Sequence, residues 1–271
     1  MDRSLGPSRL TSIGLSVLAL VWVSPFAWLI LSAIDPTTNG QLRLPRAIGI
    51  DNFVLALSGS AGQQLLNSIY LSVGTATLTV IIAAVAAYPL SRIQVPGRNA
   101  VLWGLVLLRM LPESGTIVPT FFAAKEMGGL NMPGMIVAMT VLNMPFALLL
   151  LKNFFDSVPI ELEESAYVEG ASLWQILTLI VVPLSRSGVV VVWFFTFTGA
   201  WNAFLLPFIF ARTDTAFPMS VGLFTAFGQY GGISFGFLTA YSLIYSIPAV
   251  GVYFLLRRNL NTGFAGVGVK G

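Results

Sequence analysis

The chain has 271 residues, of which 56% are apolar and only 9% charged, with a formal net charge of +3 and neither cysteine nor histidine. An ordinary soluble domain is about 25% charged, so too few polar groups exist to cover a water-facing surface, and most of this chain's surface must face lipid. The composition excludes disorder, thiolate and imidazole metal sites, and histidine-based catalytic triads. The thin spread of the 14 Lys and Arg gives no reason to expect a nucleic-acid partner.

The predicted fold is all-α and polytopic, with six apolar stretches near 10–34, 67–90, 100–122, 133–151, 187–211 and 236–256. Each is long enough to cross a bilayer, which takes about 20 helical residues, and none alternates as a porin strand would. The first follows Arg3 and Arg9 but greatly exceeds the ~7–15 residues of a signal-peptide core, so it is expected to be a retained helix. An outer loop, 35–66, should carry a short surface helix around 51–57. After the second stretch comes Tyr88-Pro89-Leu90-Ser91-Arg92.

The third stretch contains Arg109 and Glu113, one helical turn apart if the helix is continuous. A charge near the membrane midplane costs about 2.5–3.5 kcal/mol on insertion scales, so both should face protein or a cavity. They could line a translocation path and bond solute hydroxyls, or form a pair that only satisfies itself. Asn143 and Asn202, in the fourth and fifth stretches, are further path candidates, with interhelical hydrogen bonding as the alternative. Pro112, Pro119, Pro145 and Pro248 read as kinks.

Between the fourth and fifth stretches, loop 152–186 holds Asp156, Glu161, Glu163, Glu164 and Glu169, five of the chain's 11 acids. Pro159 and the early glutamates suit a helix start, and Gly170 a helix stop. A second short helix over about 172–181 should run to Pro183. This helix–glycine–helix elbow is either a solvated loop or a knob that docks into another protein. Six spans put both termini on one side. With termini inside, Arg3, Arg9, Arg92, Arg98, Lys152, Arg186, Arg257, Arg258 and Lys270 are cytoplasmic, against Arg43, Arg46, Lys125 and Arg212 outside. The positive-inside rule favours that orientation, with the elbow cytoplasmic.

Glu164-Ser165-Ala166, three residues, Gly170, nine residues, Ile180, one residue, then Val182-Pro183 resembles the E-A-A-x3-G-x9-I-x-L-P motif of binding-protein-dependent ABC importer permeases. Ser165 and Val182 depart from it by residues of similar size. The tail from Gly263 to Gly271, the segment 88–98 and Trp201-Asn202-Ala203-Phe204-Leu205 resemble the shorter permease of the maltose-transporter type, with Ala203 where that family has an acid.

The resemblance implies a type I ABC importer transmembrane domain in the bacterial inner membrane, occupying the whole chain. It implies no enzyme activity and no cofactor of the chain's own. ATP and magnesium belong to a partner, consistent with lysines that follow Ala124, Leu151 and Val269 and form no Walker A motif. The implied partners are a second permease in a heterodimer, two copies of a cytoplasmic ATPase, an extracytoplasmic solute-binding protein and a sugar-like solute. Glu164, Ser165, Ala166, Gly170 and Pro183 would couple to the ATPase, and Gly266, Lys270 and Gly271 would reach it from the tail, unless that tail is a frayed end. An ion-coupled secondary transporter and a permease for glycerol phosphate or its diesters are the alternatives.

Overall fold

The computed structural model describes residues 9–58, 60–93, 96–211, 213–229 and 234–267, and among them all regular structure is helical. Helix is what an apolar chain must adopt where no water can bond its backbone. Two compact units form: Met1–Gly62 with Leu223–Ile247, and Gln63–Gly222 with Pro248–Gly271.

In the first unit, α1 (Arg9–Ile34) carries exposed apolar side chains on all sides from Ile13 to Val23, as a lipid-facing helix does. The short helix α2 (Asp51–Leu57) lies where the sequence places one. Its buried Asn52 closes the end of α1, with Nδ2 donating to the carbonyls of Ala33 (3.0 Å) and Asp35 (3.1 Å). Asp35 organises the loop that follows. It accepts from the amide (2.9 Å) and hydroxyl (2.7 Å) of Thr37 and from the amide of Arg46 (3.3 Å).

The second unit holds α3 (Ala61–Arg92, less its first two residues), α4 (Arg98–Met110), α5 (Glu113–Glu126) and α6 (Met132–Asp156). It continues through α7 (Ile160–Val168), α8 (Leu173–Gln175), a π-helical turn (Ile176–Val181), α9 (Val182–Leu184), α10 (Arg186–Asn202) and α11 (Leu205–Phe210). The remaining helices are α12 (Met219–Gln229) and α13 (Phe235–Val267).

Helices α1, α3, α6 and α13 are each long and apolar enough to cross a membrane. The number rises to six if the bent pairs α4–α5 and α8–α10 each count as one span.

The expected continuous helix over 100–122 is corrected by the structure to two helices meeting at 103°. Leu111 (φ −66°, ψ 134°) and Pro112 (φ −65°, ψ 139°) are both extended. Proline has no amide hydrogen, and its ring pushes the preceding residue out of the helical region. Pro119, Pro145 and Pro248 instead stay inside their helices. The expected span 187–211 also breaks, at Ala203 (ψ 129°), which places Pro207 in the first turn of α11, where no amide donor is needed. The freed Ala203 carbonyl accepts from Ser220 Oγ at 2.7 Å.

Two apolar clusters hold this unit. One gathers Ala83, Ala87, Ala147, Leu151, Phe155, Ile176, Val181 and Val192, and the other Leu71, Ile117, Met135, Met139, Ala200, Leu206 and Phe210. The many alanines permit the close helix approach on which membrane packing relies. Gly188 lets α10 pack close against α6: a Cβ there would lie 2.2 Å from the Phe154 ring.

Candidate functional site: an elbow and a cavity

The elbow begins where α6 ends. Three residues, Ser157 to Pro159, lead into α7, and the buried Val158 pins them. At the far end Gly170 adopts φ +92°, its amide bonding Tyr167 O (3.0 Å) while that of Ala171 bonds Ala166 O (3.0 Å). This double closure satisfies two helix-end carbonyls and needs a left-handed residue at its centre. Space is not the constraint, since a Cβ on Gly170 would meet nothing within 4 Å.

The next helix starts at once. Ser172 Oγ accepts from the Gln175 amide (3.3 Å) and Gln175 Oε1 accepts from the Ser172 amide (2.8 Å), a reciprocal capping box. The π-helical turn that follows brings the chain to Pro183, the second residue of α9, before an 80° bend into α10. The sequence anticipated the glycine stop and the elbow, but not the π turn. Such turns insert one residue into a helix and recur at functional sites.

The motif residues divide between two faces. Glu164 and Ser165 are exposed, with Ser165 Oγ turned back onto Glu161 O at 2.8 Å. Ile160, Leu162, Tyr167, Val168 and Trp174 are exposed as well, Val168 to 86%. Ala166 is half-buried and packs on the cluster around Leu151 and Phe155, so its small side chain serves contact within this chain.

Sequence reasoning missed the part played by Glu163, which it placed only among the acids near the start of the elbow's first helix. It is only 6% exposed. Oε2 accepts from Tyr88 Oη at 3.0 Å, and Oε1 accepts from Arg92 Nε at 2.7 Å. Tyr88 and Arg92 share one face of α3 at i,i+4 spacing, which was the available signal. Nothing along the chain announces their partner 71 residues further on. Nearby, Ser91 Oγ donates to Asp156 Oδ1 (2.6 Å), and Lys152 pairs with the other oxygen of Asp156.

A cavity of about 520 Å³ lies elsewhere in the same unit, lined in part by Arg109, Thr116, Asn143, Phe146, Phe195 and Gly199. The Arg109 guanidinium sits 5.5 Å from the centre of the Phe146 ring, within cation–π range. Phe146 meets Phe195 edge-on at 5.9 Å. Asn143 Nδ2 is held by Met139 O of its own helix at 2.8 Å.

The structure thus brings Arg109 and Asn143 into the lining of one cavity. Asn202 is not among the lining residues; its amide donates to Thr198 O at 2.8 Å. The one-turn geometry expected for Arg109 and Glu113 is absent, because the break at Leu111–Pro112 puts them on different helices. The side chain of Glu113 lies outside the described residues, as do Lys270 and Gly271. Gly266 lies in the last turn of α13.

Residues 79–262 match the family model described as binding-protein-dependent transport system inner membrane component. The chain belongs to this family. The permease is 28% identical over 248 residues to the diacetylchitobiose uptake system permease protein NgcG of Streptomyces coelicolor, covering 89% of this chain and 82% of that one. It is also 28% identical to the trehalose/maltose transport system permease protein MalG of Thermococcus litoralis, covering 96% and 95%.

Among solved structures, it superposes on a chain of a bacterial ABC transporter involved in the import of the acidic polysaccharide alginate. The TM-score is 0.80 at 20% identity, covering 93% of this chain and 95% of that chain. The fold is therefore that of an ABC importer's transmembrane domain. A multi-pass protein of the inner membrane follows from the family and from the apolar helices.

Proposed function

We propose that this permease passes a sugar or related polyol across the inner membrane, receiving it from an extracytoplasmic binding protein. The work comes from a pair of cytoplasmic ATPases that carry the ATP and magnesium. A second, related permease completes the path as a heterodimer. Both termini face the cytoplasm, as does the elbow, in agreement with the excess of Lys and Arg on that side. The whole chain acts as one transmembrane domain.

The observation that carries this reading is the elbow itself. A short helix, closed at a left-handed Gly170 and recapped at Ser172, presents Glu161, Glu164 and Glu169 beside exposed Ile160, Tyr167 and Val168. A rigid knob with an apolar crown and acidic flanks suits a partner groove with an apolar floor and cationic rim. The sugar assignment is supported by the diacetylchitobiose and trehalose/maltose relatives. It is supported also by the cavity, where aromatic faces stand beside Asn143 and Arg109. In the wall of that cavity Arg109 favours a second reading, a solute bearing phosphate, such as glycerol phosphate or a diester. At the tail, Gly266, Lys270 and Gly271 add a further contact to the ATPases.

The chain has no native cysteine, so Ser165→Cys supplies a single crosslinking site. In the assembled transporter it should crosslink to the ATPase, and liganded binding protein with ATP should drive oligosaccharide uptake into proteoliposomes. A crosslink-free elbow, or uptake that needs an ion gradient in place of ATP, contradicts the proposal. Uptake of glycerol phosphate with no oligosaccharide uptake selects the second reading.

A further inference from the structure

The buried group around Glu163 belongs to neither the exposed face of the elbow nor the cavity. Glu163 lies on α7, with a side chain 7% exposed, and Arg92 at the end of α3, 12% exposed. Arg92 Nη2 stands 2.6 Å from Glu163 Oε1 and donates to the carbonyls of Phe155 and Val158, both at 2.9 Å. Phe155 O belongs to the last turn of α6, whose carbonyls have no helical partner. Val158 O belongs to the three-residue link into α7. One guanidinium therefore bonds α6, the link and α7 at once while rooted in α3. Tyr88, one turn back along α3, takes the second carboxylate oxygen.

The apolar contacts beneath the elbow, through Ile176, Leu177 and Val181, are non-directional and do not by themselves set its angle. A planar cation with fixed donor directions does set an angle. A buried carboxylate that lost its cation would pull the segment toward water.

We propose that Arg92 is the positioning residue that latches the elbow to α3 and α6, so that α7 moves with those two helices as one body when the ATPases close. The inference rests on the reading of the elbow as the transmitting element. Arg92 touches no solute and no nucleotide. Its part is to convert a push on α7 into a tilt of α3 and α6 without loss at the joint.

The test uses the complete transporter in proteoliposomes. Arg92→Gln, which removes the charge and most of the reach, should insert and assemble. It should keep the Ser165→Cys crosslink to the ATPase and keep basal ATP hydrolysis, while solute taken up per ATP falls about tenfold, the scale of losing charged hydrogen bonds. Glu163→Gln should shift the same ratio in the same direction. A side chain that only satisfied a buried charge would leave that ratio unchanged.

A second measurement does not depend on these variants folding. Spin labels at Ile93→Cys and Ser165→Cys, in a chain otherwise free of cysteine, should keep one separation in the nucleotide-free and ATP-trapped states. A separation that changes between those states overturns the latch, as does an unchanged uptake per ATP in Arg92→Gln with its crosslink intact. Absence of the crosslink in the chain with native Arg92 removes the transmitting role of the elbow, and the latch with it.

Discussion

Gly170 shows how much one backbone angle decides. Its φ of +92° closes α7, and open space around its Cα leaves conformation as the only barrier to a side chain. Gly170→Ala should therefore cost about 1–2 kcal/mol, the strain of a left-handed L-residue, with no steric clash added. Uptake should fall while membrane insertion persists, measured as transport per assembled complex; full transport would show that the closure tolerates other geometry. Asp35 makes a second case. Hydrogen bonding from the Thr37 hydroxyl, opposed by burial and aided by the Thr37 and Arg46 amides and by Arg43, holds its pKa down to about 2 from the usual 3.8. A lowered folded-state pKa means that this carboxylate stabilises its loop fully above about pH 4, and that the contribution fades as pH falls toward 2. A carboxyl resonance of Asp35 followed by NMR in nanodiscs should titrate near 2; a midpoint near 3.8 would mean the loop bonds are not made.

The elements record a contest between proline and lipid. A membrane helix keeps a proline when its neighbours re-satisfy the freed carbonyl, and α3, α5, α6 and α13 each keep one. At Pro112 the preceding Leu111 is extended instead, the chain turns by 103°, and Arg109 lies in the cavity wall. Pro112→Ala should let α4 and α5 approach a single helix, restoring the one-turn spacing of positions 109 and 113. Cysteine pairs at 109 and 113 bridged by a short bifunctional reagent would detect this, with bridging in the Pro112→Ala chain and none beside native Pro112. Bridging in both chains would mean that the turn is not proline's doing. The π turn at Ile176–Val181 runs directly into α9, whose Pro183 cannot donate to the ladder.

At the scale of the whole molecule, the proposed transport is a property of an assembly, to which this chain would contribute a wall and a lever. Arg109→Gln should leave ATP hydrolysis driven by the binding protein intact while changing selectivity. For a neutral sugar the loss in uptake should be modest, about two- to tenfold, the worth of one hydrogen bond. For a phosphate-bearing solute it should be about tenfold or more, since a charge-assisted bond is lost. The uptake ratio of the two solutes in native and variant transporter measures which holds, and an unchanged ratio would take Arg109 out of the path.

Much of this organisation was legible along the chain because it rests on local properties. Apolar runs long enough to span, a glycine where a helix must stop and a gapped acidic motif each act within a few residues of themselves. The all-α membrane fold and the glycine-hinged elbow followed from them. What escaped depends on distant partners. Glu163 is one acid among five until α3 brings Arg92 and Tyr88 against it. The broken third span depends on whether neighbours re-satisfy a proline, which no window of residues reports. Composition decides that a chain belongs in lipid, because transfer energy sums residue by residue. Which acid is buried and which is offered to a partner is decided only by packing, because a charge enters the interior only where the fold supplies its counter-charge.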